Sequence, residues 1–419
     1  MLRPPNRNFF LIWHGQLISQ LGHQAFLIAS AYVVLRETQS AALVAMVLVA
    51  VTLPMVVLGP WAGTFADRHD RRSIILTADA TRALVVAAVA SSLTRELDTT
   101  TTTALVIAAA TLNGVVNAFF TPALYAIVPD LVPARDVPSA TALYQLSTQA
   151  AVLLGQAFGG VLFSTYDAVP MFLLNAAGFG YAALTASFVP PRPISPDAVA
   201  SDRSPGVPIR GGLAYIRRQP GILPVLLSFA AVNTLFMPVL VLLPFYVRDV
   251  LGRGPEWYGY LLSASGAGAL AGSATAAWVA GAIAHRGRLV RVCMAIVATS
   301  VLVIAAIPGT TIAPAAFAGI GCAASLISVT VISSLQGNVP VGLRGRVMAL
   351  VIALSGASAP LGMILGGLAG DLWRARLPAM YAACGIAILL LACAAARMRS
   401  FDEALEPVCS PAADNLTQP

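Results

Sequence analysis

Long stretches of predominantly apolar residues recur along nearly the whole of this 419-residue chain, and they leave few choices of fold. About 20 apolar residues in an α-helix cross the ~30 Å hydrocarbon layer of a bilayer. No water inside that layer can pair a backbone N–H or C=O, so a spanning segment must be a helix or a strand of a closed barrel. A barrel strand needs only about 9–11 residues, and these runs are much longer. Twelve spanning helices are therefore predicted, at 9–35, 40–66, 73–93, 102–128, 139–165, 168–189, 221–247, 256–284, 288–307, 312–335, 346–370 and 377–397. Composition agrees. The chain is 58% hydrophobic and 10% charged, against about 25% charged in soluble domains. A soluble globule of this size would be left with too little polar surface.

The placement of charge sets the orientation. All 25 basic residues are arginine. If the N-terminus is cytoplasmic, 18 arginines fall in cytoplasmic segments or at the cytoplasmic ends of spans, 6 in outside loops, and Arg82 lies within a span. Cytoplasmic loops accumulate Lys and Arg, so both termini are expected on the cytoplasmic side of the cell membrane. The net charge of +7 is then a property of membrane loops, and no nucleic-acid partner is implied. Arg3 and Arg7 lead straight into the first span with no small-residue cleavage site, so no cleavable leader is expected. The five cysteines have no metal-ligand spacing, which predicts neither a metal site nor a disulfide.

Residues 190–220 differ from every other connection. Pro190, Pro191, Pro193, Pro196, Pro205 and Pro208 make a polar, proline-rich linker. It divides the chain into a six-helix half, 1–189, and a second half, 221–399, followed by a tail, 400–419, expected to be disordered. The linker's end, GGLAYIRRQPG (211–221), is a candidate short interfacial helix, with Leu213 and Ile216 opposite Arg217 and Arg218. The halves also resemble each other. PDLVPARDVPSATALYQLSTQAAVLLGQAFGG (129–160) and PVGLRGRVMALVIALSGASAPLGMILGG (340–367) both run from proline through an Arg-bearing loop into a helix ending G-x-x-x-G-G. Parallel repeats of this kind mark one class of secondary transporter.

The most specific motif is GTFADRHDRR (63–72), between spans 2 and 3. Gly63 permits close helix approach, Asp67 sits at a helix end, and Arg68, Arg71 and Arg72 form a basic cluster. Here the chain resembles the major facilitator superfamily, whose signature loop is G-x-x-x-D-R-x-x-R-R, with Asp70 where a glycine is usual. The A-D-R-x-D-R-R form, with PALYAIVPDLVPARDVPSATAL (122–143), GGLAYIRRQP (211–220) and SLQGNVPVGLRGRVMAL (334–350), is similar to its macrolide-efflux-like and enterobactin-exporter-like branch. The resemblance implies an all-α membrane protein of twelve helices in two pseudo-symmetric halves. It also implies a gate: Asp67 would cap span 11, beginning near Arg346, and Arg68 or Arg71 would pair with Asp130. These contacts would hold the cytoplasmic side shut and break when it opens.

Several polar residues lie within spans. Gln16, Gln20, His23 and Gln24 share one face of span 1. Intramembrane ionisable groups are functional candidates by default, and an imidazole titrates near physiological pH. His23 is thus a candidate proton carrier, or else a neutral histidine bonded between helices. Related exporters often carry an acid at this position. Asn113, Asn117, Gln145 and Gln149 are further cavity candidates, or helix–helix hydrogen-bonding groups. Asp79 and Arg82, three residues apart and one to two turns inside the cytoplasmic edge, read as a structural pair or a snorkelling arginine, with a proton site as the alternative. GQAFGG (155–160) partly matches the superfamily's antiporter signature, with Gln156 in place of proline.

No nucleotide-binding lysine, nucleophile elbow or zinc spacing is present, which argues against an enzyme or an ATP-driven pump and implies no cofactor. The expected function is proton-coupled export of a hydrophobic or amphipathic small molecule by a monomer in the bilayer. A siderophore exporter and a lysolipid flippase of the same fold are the alternatives. The arginine bias predicts that cysteines placed at Thr99 and Thr311 react with an impermeant thiol reagent from outside, and those at Asp136 and Pro205 only from inside. The reverse pattern would overturn the topology.

Overall fold

The computed structural model describes residues 6–95, 97–191, 208–219, 221–279 and 285–406. The first half consists of α1 (Arg7–Thr38), α2 (Ala41–Arg68), α3 (Arg71–Leu93), α4 (Thr99–Leu131), α5 (Val137–Tyr166) and α6 (Ala168–Ser187). A short helix α7 (Pro208–Arg218) precedes the second half. That half comprises α8 (Ile222–Val241), α9 (Pro255–Val279), α10 (Arg286–Ala306), α11 (Ile312–Asn338), α12 (Val341–Leu372) and α13 (Leu377–Ala396), and α14 (Arg399–Leu405) follows it. Twelve of the described helices are long. Eleven are apolar and long enough to cross a membrane. The remaining one, α9, carries the weakly apolar run SASGAGALAGSA (263–274).

Packing repeats between the halves. In the first, α1 packs on α5 and α6, α2 on α4, and α3 on α4 and α6. In the second, α8 packs on α12 and α13, α9 on α11, and α10 on α11 and α13. The halves meet mainly through two helix pairs, α2 with α12 and α5 with α9. The repeat maps one pair onto the other, with α2 corresponding to α9 and α5 to α12. This is the pseudo-symmetric two-half architecture expected from the sequence.

The halves are joined at one end only. Helices alternate in direction, so the α2–α3, α4–α5, α9–α10 and α11–α12 ends share one side with the chain start, here called the N-terminal face. On that face the buried apolar residues form two separate clusters. One, with Phe9, Ile75, Leu124 and Val189, belongs to the first half, and one, with Ile222, Val297, Val347 and Phe401, belongs to the second. Toward the opposite face a single cluster contains both halves, with Phe26, Phe172, Tyr246, Tyr258 and Phe317 among its members. Tyr32 of α1 meets Tyr258 of α9 edge-on there, with ring centroids 5.6 Å apart. The molecule is closed at the opposite face and parted at the N-terminal face.

The repeated G-x-x-x-G-G explains where it closes. In α5, Gly155 and Gly159 lie against Gln24 and Ala25 of α1, while Gly160 faces Pro255 and Glu256 of α9. In α12, Gly362 and Gly366 lie against Thr234 and Pro238 of α8, while Gly367 faces Ala42 and Ala45 of α2. In each half the first two glycines seat the helix on its own bundle and the third touches the other half. Small residues let backbones approach within the membrane, where no hydrophobic force draws helices together.

Some expectations need correction. Span 11 begins at Val341, five residues before Arg346, because Pro340 occupies the N-cap and the helix continues through the Arg-bearing segment. The tail is not disordered from 400. Helix α14 folds back, buries Phe401 and Leu405, and bonds Arg291 through Asp402. The short helix before the second half is Pro208–Arg218, with Ile216 buried and Arg217 and Arg218 exposed. The rest of the linker, 192–207, and the tail from 407 lie outside the described residues. Gly63 does not mediate a close approach, since a Cβ there would meet nothing within 4 Å. At Gly367, by contrast, a Cβ would fall 2.9 Å from Ala42 Cα.

Gly367→Ala should therefore lower the thermal stability of the purified protein, because overpacking costs ~1–3 kcal/mol. Gly63→Ala should be neutral or slightly stabilising, since a helical Gly costs ~1 kcal/mol relative to Ala. Equal melting behaviour of the two variants would contradict the assigned contact.

Candidate functional site

The loop between α2 and α3 is held mostly by its own half. Asp70 is the N-cap of α3 and accepts from Ser73 N at 3.0 Å and Ser73 Oγ at 2.6 Å. This satisfies a backbone donor the helix leaves unpaired and gives a physical reason for Asp where the signature has glycine. Arg71 donates to Asp130 at 2.6 Å and to the Ala126 carbonyl at 2.9 Å. Of the two arginines open to this role, Arg71 takes it. Arg72 donates to the Ala186 and Ser187 carbonyls at the end of α6, 3.1 and 2.6 Å away, where a cation also favours the helix dipole. Asp67 and Arg68 are exposed, and neither bonds another described residue. The contact between Asp67 and α12 is not made in this conformation.

The mirror-image contact is made at the opposite face. Asp371, at the end of α12, accepts from Ala41 N at 2.5 Å, Ala42 N at 3.2 Å and Ser40 Oγ at 2.7 Å. Ser40 Oγ accepts from Leu43 N at 3.2 Å. The first turn of α2 is thus capped jointly by its own serine and by a carboxylate of the other half. Beside it, Arg374 donates to the Gln39 carbonyl at 2.7 Å, and both Arg374 and Arg248 donate to Gln39 Oε1, at 2.9 and 2.7 Å. Gln39 has φ 57°, a left-handed conformation that turns the chain from α1 into α2. The helices α2 and α12 run antiparallel, and each carries an aspartate near its end. Asp371 is engaged and Asp67 is free.

The first half holds a cavity of 190 Å³ lined by residues from all six of its helices. It gathers Gln20, His23, Asn113 and Asn117, as the sequence suggested, together with Gln16, Arg82, Tyr144 and Thr148. Gln20 donates to Tyr144 Oη at 3.3 Å. His23 Nδ1 is buried without a partner, and its ring lies near Phe26 and Phe179. Gln24 and Gln149 are not in it. Gln24 accepts from Gln156 at 3.4 Å in the α1–α5 contact, and Gln149 is exposed on α5. Gln145 reaches only the cavity's edge, donating to Tyr125 Oη at 3.3 Å. Span 1 lines the cavity with three of the four residues of its polar face.

Asp79 and Arg82 lie deeper than expected. Arg82 is 11 residues into α3, about 16 Å along its axis, which is near the middle of a ~30 Å layer. Both side chains are buried, with nitrogen and oxygen 3.6 Å apart. Arg82 also donates to Asn117 Oδ1 at 3.0 Å, and Gln16 donates to Asp79 Oδ2 at 2.7 Å. Arg82 lines the cavity, so it is part of the site and not merely a structural pair. Its position in the middle of a predicted span, away from either end, was the sequence signal for this role. Tyr125, Tyr144 and Thr148 carried no comparable signal.

Known proteins agree with this geometry. The family described as transmembrane secretion effector matches residues 3–417. Macrolide efflux protein A of Streptococcus pyogenes is 24% identical over 370 residues, covering 87% of this chain and 89% of that protein. Multidrug efflux pump Tap of Mycolicibacterium fortuitum is 26% identical over 415 residues, covering 95% and 98%. Among solved structures, a bacterial homologue of the iron transporter ferroportin in its inward-facing state superposes with a TM-score of 0.73, at 14% identity over 93% of this chain and 98% of that one. A D-xylose–proton symporter superposes with a TM-score of 0.70, at 14% identity over 93% and 97%. These structures share the fold. The chain belongs to the transmembrane secretion effector family and is a membrane transporter of the major facilitator type.

Proposed function

We propose that this transporter exports a hydrophobic or amphipathic small molecule (a drug, antibiotic or secondary metabolite) by proton antiport with alternating access. The observation that carries the reading is the asymmetry between the two gates. Asp371 caps α2 while Asp67 is unengaged, and the apolar core is shared at one face and divided at the other. With the N-terminal face cytoplasmic, as the arginine bias favours, this conformation is open to the cytoplasm and can load substrate there. Relatives named for macrolide and multidrug efflux support the direction and the broad class of cargo. In this reading residues 1–189 and 221–399 are the two rocking halves, 190–220 connects them, and a monomer suffices.

The gates then work in opposition. When the halves rock, Asp371 leaves α2 and Asp67 docks on the start of α12, helped by Gly63, which no longer faces open space. Arg71 and Asp130 keep the loop in place, and Arg68 and Arg72 hold its basic surface. A helix-terminus charge contact contributes ~0.3–1 kcal/mol when exposed and up to ~2 when partly buried, enough to move a balanced equilibrium about two- to thirty-fold. Spin labels at Arg135 and Gly337, one on each half at the N-terminal face, report the population. Asp67→Asn should enrich the long-distance state and lower export. Asp371→Asn should enrich the short-distance state. Wild-type distance distributions in both variants would remove both gates.

His23 is the candidate for the coupling proton, because it faces the cavity with an unpartnered ring nitrogen and its unperturbed pKa lies near physiological pH. The test uses inverted membrane vesicles with an acid interior and a panel of uncharged, acidic and basic amphipathic compounds. The wild type should release protons when an exported compound is added. His23→Gln keeps hydrogen bonding but cannot titrate, and it should abolish that release while substrate binding stays within a few fold. Unchanged release from His23→Gln would move the coupling elsewhere, and no release from the wild type would end the antiport reading.

A further inference from the structure

The cavity of the first half is lined by one permanently charged group, and that group is a cation. Arg82 is 6% exposed, and its guanidinium carries five N–H donors. Few of them are used. One donates to Asn117 Oδ1 at 3.0 Å. The nearest Asp79 oxygen is 3.6 Å away, beyond a hydrogen bond. The rings of Phe120 and Phe179, with centroids 4.3 and 5.3 Å from Arg82 Cζ, hold the guanidinium in place. Asp79 is fully buried behind it and turned toward Gln16, so no carboxylate lines the cavity.

The other unmet groups are neutral. Asn113 is 3% exposed and lines the cavity, and its Nδ2 donates to the Ala109 carbonyl at 2.9 Å, leaving Oδ1 without a partner. His23 Nδ1 has none either. Buried polar groups without partners are costly, and a guanidinium is shaped to take two oxygens at once. The volume of 190 Å³ is below the ~300–1,000 Å³ of a drug-sized pocket. It takes one head group, and the rest of such a molecule extends out between the halves.

Resting on the export reading above, we propose that Arg82 anchors the anionic oxygens of the substrate, so that the preferred cargo is an amphipathic organic acid and not a lipophilic cation. The carboxylate accepts from the free N–H groups of Arg82, and a hydroxyl next to it can donate to Asn113 Oδ1. A cationic head group meets the guanidinium with no lining carboxylate to offset it. The direction of transport agrees with this charge, because expelling an anion from a cell that is negative inside runs with the membrane potential.

The test compares two fluorescent probes of one skeleton, 11-(dansylamino)undecanoic acid and the corresponding trimethylammonium. Each is titrated onto the full chain in phosphatidylcholine nanodiscs, with empty discs subtracted. The acid should bind saturably and at least tenfold more tightly than the ammonium. Arg82→Gln should weaken the acid tenfold or more and leave the ammonium unchanged. Arg82→Lys, which keeps the charge but loses the fork, should fall between. Competition on the wild type needs no variant: unlabelled dodecanoate should displace the acid probe and tetraphenylphosphonium should not. No saturable binding of the acid, equal affinity for the two probes, or an acid affinity within twofold in a folded Arg82→Gln protein would each overturn the anchor. Export of the ammonium probe from energised vesicles in preference to the acid would overturn it too, while leaving the export reading intact.

Discussion

Close backbone approach at the opposite face is the contact on which the rest of the architecture depends. Lipid tails are as apolar as leucine, so nothing drives two membrane-embedded halves together except van der Waals packing and hydrogen bonds. The third glycine of each repeated motif, Gly160 on α9 and Gly367 on α2, supplies the packing. Ser263 adds a hydrogen bond from α9 to the Leu153 carbonyl of α5, 2.9 Å long. Asp371 adds another set by capping α2. Because these contacts cluster at one end, the halves are joined where backbones touch and separate where they do not.

That placement gives two antiparallel helices a reciprocal relationship. Each of α2 and α12 exposes unpaired N–H groups at its start and carries an aspartate near its end. In an antiparallel pair, one helix's end lies beside the other's start. The structure satisfies one such contact and leaves the other open, with Asp371 bonded and Asp67 exposed. A rigid protein would gain by making both. Making only one is what the proposed rocking of two halves requires, since closing either end would pull the other apart.

The ion pair in α3 belongs to a different layer of the design. A buried charge in a membrane is expensive and needs a partner. Asp79 provides one for Arg82, but at 3.6 Å and with Gln16 sharing the carboxylate, the pair is loose. A tighter pair would neutralise the guanidinium and remove it from the cavity. The geometry instead holds the cation in the membrane while keeping most of its donors available. Neutral polar groups, Asn113, Asn117 and Gln20 among them, line the cavity around it.

The fold was legible in the sequence because the bilayer dictates it. Apolar length fixes helices, arginine placement suggests their orientation, and the proline-rich linker and repeated glycines mark the two halves. The loop motif was also legible, and it was its resemblance to a known superfamily that implied the pairing of Arg68 or Arg71 with Asp130. The tertiary structure decided what depends on rotation and depth. Gln24 turns into the α1–α5 contact while Gln16, Gln20 and His23, on the same helical face, reach the cavity. Arg82 reads from its i, i+3 spacing as half of a local pair with Asp79, yet it lines a cavity with residues from five other helices. Asp371 sits in an ordinary-looking helix end and gains a role only because α2 begins next to it. Sequence spacing constrains a residue along its own helix, and only packing determines which residue of another helix it meets.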